Sequence, residues 1–334
     1  MSLSQEIDFS PIKGQKNLLA FSAGIDSTAL FFLLLEHSID FDIATVNYNL
    51  RASSKDELAY AKELSIKYDK KLYFLESELK ESAIEEQARR IRFDFFDSII
   101  EKESYDNLLT AHQLNDQLEW FLMQLTKGAG TLELLGMQTV TQRKEYSLYK
   151  PLLKVSKEQL QSYLDDRDIK YFIDSSNSDQ IYKRNFFRHN FSDALIKEYQ
   201  EGISRSFEYL QEDNQRLLQK SKTLALGELT IIKADDKRSQ LYHIDKDLKK
   251  RAYILSHAQR EEIKNSTSVV ISAQFVIEQA YPLTYISPLV ETRMDKAFKE
   301  SCRMAKVPHK IRPFLYKNHP DIKLFQEKIL EWQS

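Results

Sequence analysis

Residues 17–36 read NLLAFSAGIDSTALFFLLLE, and this stretch decides the fold of the first half of the chain. The apolar run from Asn17 to Ser22 predicts a buried strand, and the segment from Thr28 to Glu36, apolar on all sides, predicts a buried helix. The loop between them consists of Ser22, Ala23, Gly24, Ile25, Asp26 and Ser27. Small residues let backbone N–H groups approach a phosphate, the helix N-terminus adds positive charge, and two serine hydroxyls can donate hydrogen bonds. The loop therefore predicts a phosphate cradle, although a small-residue turn that only joins strand to helix has the same pattern.

Two common nucleotide-binding motifs do not describe this loop. No Gly-Lys-Ser/Thr follows it, as a Walker loop requires, and the Gly-x-Gly-x-x-Gly spacing of dinucleotide-binding folds is absent. If the loop binds a nucleotide, it must therefore belong to another family of nucleotide-binding proteins.

Strand-like and helix-like runs continue to alternate after this loop. Further strands are predicted at Asp42–Tyr48, Leu72–Leu75, Asn107–Ala111 and Tyr146–Tyr149, and further helices at Ser54–Asp69, Ile84–Glu101, Asp116–Leu125 and Ser156–Asp166. This order predicts an α/β fold with a doubly wound, mainly parallel sheet, in which ligands bind outside the carboxyl ends of the strands.

The pattern changes near residue 195. Charged helical stretches such as Gly202–Lys222 follow, interrupted by β-like runs at Leu229–Ile232 and Ser268–Ile271. We therefore predict two domains, an α/β domain at residues 1–195 and a mainly helical domain at residues 196–334.

Charge and cysteine content exclude several classes of protein. The 48 basic and 50 acidic residues give a formal charge of -2, so any nucleic-acid contact must use local basic patches rather than a net field. The single cysteine, Cys302, excludes an internal disulfide and a zinc or iron–sulfur site held by this chain's own thiolates. No signal-like segment or run of about 20 apolar residues occurs, which predicts a cytoplasmic protein without a membrane segment.

Polar residues after the predicted strands are the candidates for chemistry. Asp116 and Glu119 lie three apart at a helix start, so both carboxylates can face one ligand, either Mg²⁺ or an amine, or can simply favour the helix N-terminus. His112 just before them is equally a core or a substrate-contacting residue. Two basic pairs, Arg89 with Arg92 and Arg184 with Arg188, lie one helical turn apart and predict either an anion clamp or a solvated basic face.

The loop and four later segments together resemble one family. FSAGIDS resembles the Ser-Gly-Gly-x-Asp-Ser signature of PP-loop ATP pyrophosphatases, whose domain is adenine nucleotide alpha hydrolase-like. VNYNLR with Arg51, EEQARRIRFDFF, AHQLNDQLEWF, and KPLL followed by DSSNSDQIYKRNFFRH resemble segments of the tRNA(Ile)-lysidine synthetases in the same order. The chain departs from the family pattern at Ala23 (glycine), Gln113 (histidine), Asn115 (aspartate) and Trp120 (threonine).

The resemblance implies a tRNA-modifying ligase. Such an enzyme uses ATP and Mg²⁺ to adenylate C2 of the wobble cytidine of tRNA(Ile) with a CAU anticodon, and L-lysine then displaces AMP. It implies that residues 22–27 bind ATP, and that Asp26 and Asp116 hold the metal and, with Arg184, act in catalysis. Lysine or other substrate groups would meet the remaining candidates, which are Arg51, Arg89, Arg92, His112, Glu119, Asn177 and Arg188.

Some partners and alternatives stay open at this point. The C-terminal half would hold the tRNA, with Lys249, Lys250 and Arg251 or Lys306, Lys310 and Arg312 as candidate phosphate contacts or as plain solvated surface, and a homodimer is open. Two alternatives are another PP-loop tRNA-modifying enzyme and a nonenzymatic RNA- or nucleotide-binding protein with a decayed site.

Overall fold

The computed structural model describes residues 3–49, 54–79, 84–143, 145–173, 183–218, 220–319 and 321–333. The chain forms two compact units, Met1–Gln211 and Glu212–Ser334.

The N-terminal unit alternates strands and helices as its sequence predicts. Its strands are β1 (Asn17–Ala20), β2 (Phe41–Asn47), β3 (Leu72–Glu76), β4 (Asn107–Leu109), β5 (Val140–Gln142) and β6 (Ser147–Tyr149). Its α-helices are α1 (Leu3–Glu6), α2 (Ile25–Glu36), α3 (Ser54–Lys67), α4 (Ile84–Glu103), α5 (Leu114–Leu125), α6 (Thr131–Leu134), α7 (Lys157–Asp165) and α8 (Lys183–Phe187). A π-helical segment, Arg188–Ser192, joins α8 to α9 (Asp193–Leu218), and a 3₁₀ turn covers Ser10–Ile12.

The six strands form one sheet in the order β3-β2-β1-β4-β6-β5. All neighbours run parallel except β5, which pairs antiparallel with β6. The predicted doubly wound, mainly parallel sheet is therefore confirmed. The chain leaves β1 toward β2 on one side and later returns to β4 on the other, so the carboxyl ends of β1 and β4 flank the point at which ligands bind in such sheets.

Helix α2 anchors this edge of the sheet to the core. Its apolar residues face inward on nearly every side, and Phe31, which is fully buried, meets the ring of Phe41 edge-on at 5.1 Å between centroids. A helix that is hydrophobic all round is stable only when other elements cover it, and α2 packs in one cluster with residues of β1, β2, α3 and α7. The start of α2 is therefore held rigidly above the end of β1.

The C-terminal unit is mainly helical, as predicted, and also contains a sheet. Its five strands, β7 (Lys222–Leu226), β8 (Leu229–Lys233), β9 (Ser268–Ile271), β10 (Phe275–Ala280) and β11 (Leu283–Pro288), pair antiparallel in the order β7-β8-β11-β10-β9. Its helices are α10 (Lys237–Lys250), α11 (His257–Asn265), α12 (Lys296–Met304), α13 (Arg312–Asn318) and α14 (Ile322–Gln333), with a 3₁₀ turn at His309–Ile311. Two apolar clusters, one around Leu229 and Ile311 and one around Ile244 and Ile277, form its core.

Several boundaries differ from those that the sequence predicts. Strand β5 was not predicted, because Val140–Gln142 is a short and largely exposed edge strand. Helix α2 begins at Ile25 rather than Thr28, so Asp26 and Ser27 lie in its first turn. The boundary between the compact units follows Gln211 and falls inside α9, while the change in composition near residue 195 coincides with the start of that helix.

Within the described ranges, none of the helices is both long enough and apolar enough to cross a lipid bilayer.

Candidate active site

The predicted phosphate cradle lies between β1 and α2, as the sequence indicates. Gly24 is the N-cap of α2 in an extended conformation, and no side chain caps the N–H groups of the first turn. These uncapped donors and the helix dipole suit an anion. The two serines meet across the loop, where Oγ of Ser22 lies 3.1 Å from Oγ of Ser27, and Ser27 Oγ accepts a hydrogen bond from the Ser22 N–H.

Ala23 takes the left-handed backbone conformation, with φ at 59°. This explains why the resembling signature has glycine there, since only glycine adopts positive φ without a steric penalty. The Ala23 side chain is buried in the core cluster of the N-terminal unit, and its carbonyl accepts a 2.9 Å hydrogen bond from the Phe172 N–H. The methyl group therefore fits in the core, and the unfavourable free energy of alanine at this position comes from the positive φ of its backbone.

Asp26 is a partly buried carboxylate beside the cradle. Its Oδ1 is buried and has no hydrogen-bond partner among the residues that the structure describes. Burial, and next the negative charge of Asp116, raises the pKa of Asp26 to about 7, while Lys157 and Arg188 act in the opposite direction. Asp26 and Asp116 therefore act on each other at the same edge of the sheet, and an orphaned carboxylate oxygen there is suited to a cation.

Asp116 and Glu119 both face the arginines of α8 and the π-helical segment. Glu119 is fully buried and accepts hydrogen bonds from Arg184 Nε at 2.7 Å and Arg188 Nε at 2.6 Å. Asp116 Oδ1 pairs with Arg184 Nη2 and lies 3.7 Å from Arg188 Nη2. The shared direction that their spacing predicts is confirmed, but the groups that they face here are guanidinium groups of the same chain.

Asp116 also closes the start of α5. Its Oδ2 accepts a 3.1 Å hydrogen bond from the Gln113 N–H in a capping box. Burial pushes the pKa of Asp116 upward, but Arg184 and His112 outweigh it and hold that pKa below its usual value. The capping interpretation of Asp116 is therefore confirmed, and its other oxygen meets Arg184.

Two residues beside Asp116 have defined partners. His112 Nδ1 lies 3.0 Å from the Thr110 hydroxyl, and burial lowers the pKa of His112 to about 4, so its imidazole is neutral. Asn115, which stands where the family pattern has aspartate, donates through its amide to Asp193 Oδ1 at 3.0 Å and accepts from the Lys157 N–H at 3.2 Å. Here Asn115 connects α5 to α7 and α9.

The remaining candidates divide into two sets. Arg89 and Arg92 lie on α4, where burial and next the charge of Arg92 lower the pKa of Arg89, with smaller effects from Arg143 and Arg184. Arg92 Nε points back to the Ala88 carbonyl at 3.4 Å. Arg51 and Asn177 lie outside the described residues.

The donor set fits a magnesium ion held mainly by phosphates. No group of three or more His, Cys, Asp or Glu side chains with metal-binding geometry occurs in the described part of the chain. Mg²⁺ is usually held by one or two carboxylates together with substrate phosphates and water, and the unpartnered Asp26 oxygen beside the uncapped helix start provides such a ligand.

Three of the six candidate phosphate contacts of the C-terminal unit have partners within that unit. Lys249 pairs with Asp245 at 2.6 Å, and Arg251 pairs with Asp247 at 2.8 Å. Arg312 Nε donates to the Val307 carbonyl at 2.9 Å. Each of these three cations therefore has a partner in the same chain.

Three further cations near this site, Lys150, Arg143 and Lys157, were not predicted from the sequence. Lys150 follows β6, Arg143 follows β5, and the Lys157 charge acts on Asp26. Lys150 stands in the KPLL segment that was quoted for the family resemblance, and its position directly after a strand was the signal that could have found it. Arg143 and Lys157 have no comparable signal.

Comparison with known proteins agrees with this geometry. A family model for the PP-loop domain matches residues 3–195. The solved structure of the U34-tRNA thiolase NcsA from Methanococcus maripaludis with its [4Fe-4S] cluster superposes with a TM-score of 0.51 at 19% identity, over 63% of this chain and 76% of that one. The fold and the loop therefore define a PP-loop ATP-binding protein.

Relatives that match nearly the full length of this chain show which family of PP-loop proteins it belongs to. The tRNA(Ile)-lysidine synthase of Campylobacter jejuni strain RM1221 is 41% identical over 327 residues, which is 96% of this chain and 98% of that protein. The tRNA(Ile)-lysidine synthase of Helicobacter pylori strain 26695 is 40% identical over 309 residues, which is 92% of this chain and 91% of that protein. The chain belongs to the tRNA(Ile)-lysidine synthase family and is a ligase of that kind.

Proposed function

We propose that this chain converts the wobble cytidine of tRNA(Ile) bearing a CAU anticodon to lysidine. The C2 carbonyl oxygen of the base attacks the α-phosphorus of ATP, and pyrophosphate leaves. The ε-amine of L-lysine then adds at C2, AMP departs with the oxygen, and the amine proton is released. The step through an adenylate is needed because C2 is a poor electrophile until its oxygen becomes part of a leaving group.

The arrangement of Asp26 beside the uncapped start of α2 is the observation that carries this proposal. Backbone N–H groups of residues 25–27 and the Ser22 and Ser27 hydroxyls would bind the phosphate chain of ATP. Asp26, with Asp116, would hold Mg²⁺, which supplies charge neutralisation of the departing pyrophosphate. Fixed donors and a metal at the developing negative charge lower the barrier to pyrophosphate release.

Arg184 and Arg188 would act on the reactants from α8 and the π-helical segment. Arg184 retains 42% exposure of its side chain while Asp116 and Glu119 fix its guanidinium group, so it can contact a phosphate without losing its orientation. Arg188, at 13% exposure, would mainly position Glu119. A neutral His112 next to Thr110 is suited to contact the base rather than a phosphate.

The ammonium group of L-lysine would bind at Glu119. The predicted role of Glu119 as the partner of the lysine ammonium requires the ammonium to share a carboxylate that already accepts from two arginines. Arg51, Arg89, Arg92 and Asn177 remain proposed substrate contacts. The C-terminal unit is the proposed tRNA-binding domain, and the cytoplasmic location and the homodimer remain predictions.

The decisive experiment is incubation with tRNA(Ile) transcript, Mg-ATP and labelled L-lysine, followed by mass analysis of the nucleosides. Label in the anticodon cytidine supports the proposal, and its absence with folded protein and intact tRNA overturns it. Asp116→Asn keeps a capping oxygen for the Gln113 N–H but removes the charge that pairs with Arg184, so it should lose adenylation and some stability while circular dichroism shows that it stays folded. Normal turnover by this variant would remove Asp116 from the reaction.

One measurement separates the proposal from a nonenzymatic alternative. An enzyme that forms an adenylate with the RNA catalyses exchange of labelled pyrophosphate into ATP in the presence of tRNA(Ile) without lysine, whereas a binding protein does not. Another PP-loop enzyme that modifies tRNA would show exchange but no incorporation of lysine.

A further inference from the structure

Lys150 is a buried ammonium at the carboxyl end of β6. Its side chain is only 7% exposed, and its Nζ donates to the Gln138 carbonyl at 3.3 Å. The register that pairs Leu109 with Tyr149 continues in a hydrogen bond from the Thr110 N–H to the Tyr149 carbonyl. Lys150 and Thr110 are therefore neighbours at the edge of the sheet where the candidate active site lies.

The charged groups around Lys150 are predominantly cationic. Arg89 and Arg143 both lie over one aromatic ring, with their guanidinium carbons 4.9 and 4.4 Å from the Phe93 centroid. Burial, and next these two arginines, lowers the pKa of Lys150 to about 8, so Lys150 is still mainly protonated at neutral pH. The acidic side chain on this side, Asp97, accepts from the Tyr146 hydroxyl at 2.5 Å and lies 3.9 Å from Arg143 rather than pairing with Lys150.

A buried lysine without a counter-ion is unfavourable, because removal of an ammonium from water costs several kcal/mol unless a partner compensates. No carboxylate lies within ion-pair distance of Lys150 Nζ across the ranges that the structure covers. A ligand that brings negative charge would supply the compensation. Its charge would also relieve the mutual repulsion of Lys150, Arg89 and Arg143.

We infer that Lys150, Arg89 and Arg143 form a phosphate-binding site at the end of β6, separate from the cradle at residues 22–27. Phosphate has the charge and the several acceptor oxygens that three converging cations require. Two sources have this chemistry, an RNA backbone phosphate beside the target nucleotide and the phosphate chain of ATP.

The position in the sheet favours the RNA source. In the order β1-β4-β6, the β6 end lies two strands from the cradle, a separation of about 10 Å at the usual strand spacing. A base that is turned into the β1–β4 crevice would leave its flanking backbone over β6. The assignment to RNA rests on the proposed function, whereas the assignment to a phosphate does not.

The test uses the full chain and three variants, Lys150→Met, Lys150→Arg and Lys13→Met. Lys13 is exposed and precedes β1, at the opposite edge of the sheet, so its replacement controls for the loss of one positive charge. We expect Lys150→Met to raise the Kd for tRNA(Ile) on the order of tenfold. It should also reduce the slope of log K against log salt concentration by about 1. Lys150→Arg should retain most of the affinity, and Lys13→Met should match the parent.

A parallel arm measures the Kd for ATP with each variant. A change in ATP affinity with unchanged tRNA affinity assigns the phosphate to ATP, and a change in tRNA affinity with its salt slope assigns it to RNA. Parental affinity for both ligands and a parental salt slope in folded Lys150→Met would overturn the site. If the parent protein fails to bind tRNA(Ile), the proposed function fails, while the ATP arm still tests the phosphate site.

Discussion

Arg188 Nε lies 2.6 Å from Oε1 of Glu119, a carboxylate whose side chain is fully buried. Arg184 donates to the other oxygen from the next turn toward the N-terminus, at 2.7 Å. A carboxylate that is withdrawn from water persists as an anion only when such charge-assisted hydrogen bonds replace its hydration. Glu119 therefore holds both arginines in place, and α5 and α8 depend on each other for the geometry of the site.

The first prediction concerns Glu119→Gln, which removes the charge and keeps the size of the side chain. Because Arg184 and Arg188 would lose their shared anion, we expect the free energy of unfolding to fall by about 3 kcal/mol, as when one partner of a buried pair is removed. Urea denaturation measures it, and Glu158→Gln on the exposed start of α7 serves as the matched control.

Lysine kinetics separate the two roles of Glu119. If it binds the substrate ammonium, the KM for L-lysine should rise in Glu119→Gln while the KM for ATP stays near that of the parent. A similar rise in the KM for ATP and in the KM for L-lysine would mean that Glu119 acts only through Arg184 and Arg188.

This part of the site shows what the sequence could and could not provide. The i, i+3 spacing predicts that Asp116 and Glu119 face one direction, and the structure confirms it. The identity of the facing groups could not be predicted, because Arg184 is 65 residues from Glu119 along the chain, and the contact depends on how α8 packs against α5. Residue spacing predicts which side chains of one helix share a direction. It does not predict which residues of a second helix they contact.

The second prediction is a pH dependence of stability that depends on Asp26. Burial, and next Asp116, raises its pKa in the folded protein to about 7, whereas an unfolded aspartate has a pKa of about 3.9. Between these values the folded state keeps a proton that the unfolded state loses. This proton adds to the free energy of unfolding. The added free energy is fully present below the unfolded pKa and is lost as the pH rises toward 7, by at most about 1.4 kcal/mol for each pH unit.

Asp26→Asn should remove this contribution. Relative to the parent, the variant should gain stability from pH 4 to pH 7 and then reach a plateau, as followed by urea denaturation at one-unit intervals. Mg-ATP should flatten the slope of the parent, because a bound cation favours the ionised carboxylate. An identical pH profile for both proteins would show that Asp26 ionises normally.

The third prediction concerns the positive φ of Ala23. A left-handed conformation costs a non-glycine residue about 1–2 kcal/mol, and glycine costs about 0.5–1 kcal/mol in extra chain entropy. We therefore expect Ala23→Gly to change the free energy of unfolding by no more than about 1 kcal/mol, toward greater stability. ATP affinity should stay within about twofold, because the Ala23 methyl group is buried in the apolar core. Isothermal titration with Mg-ATP and thermal unfolding measure the two quantities, and a large gain in ATP affinity would contradict the second.

The fold itself was largely predictable from local patterns. Short apolar runs identify β1 and β4, whose residues are almost fully buried, because a parallel strand covered on both faces has little polar sequence. Strand β5 has no such signature, since the exposed Val140–Gln142 segment is held only by its pairing with β6. The start of α2 was placed too late for a similar reason: its first turn carries the polar Asp26 and Ser27, which face the site and not the core.

The fourth prediction tests whether Asn115 marks a decayed site. Its amide donates to Asp193 Oδ1 at 3.0 Å and its oxygen accepts from the Lys157 N–H at 3.2 Å, so Asn115→Asp would place a second carboxylate against Asp193. Asp193 is 46% exposed, so solvent screens the repulsion, and we expect a loss of only about 1 kcal/mol in stability. Asn115→Asp combined with Asp193→Asn should recover it, because the reversed pair can again form the hydrogen bond. Exchange of pyrophosphate into ATP in the presence of tRNA(Ile) should be similar in the parent and the double variant, as Asn115 serves to join helices here. If only the variants with aspartate at position 115 catalyse exchange, the parent site is decayed and Asn115 is the cause.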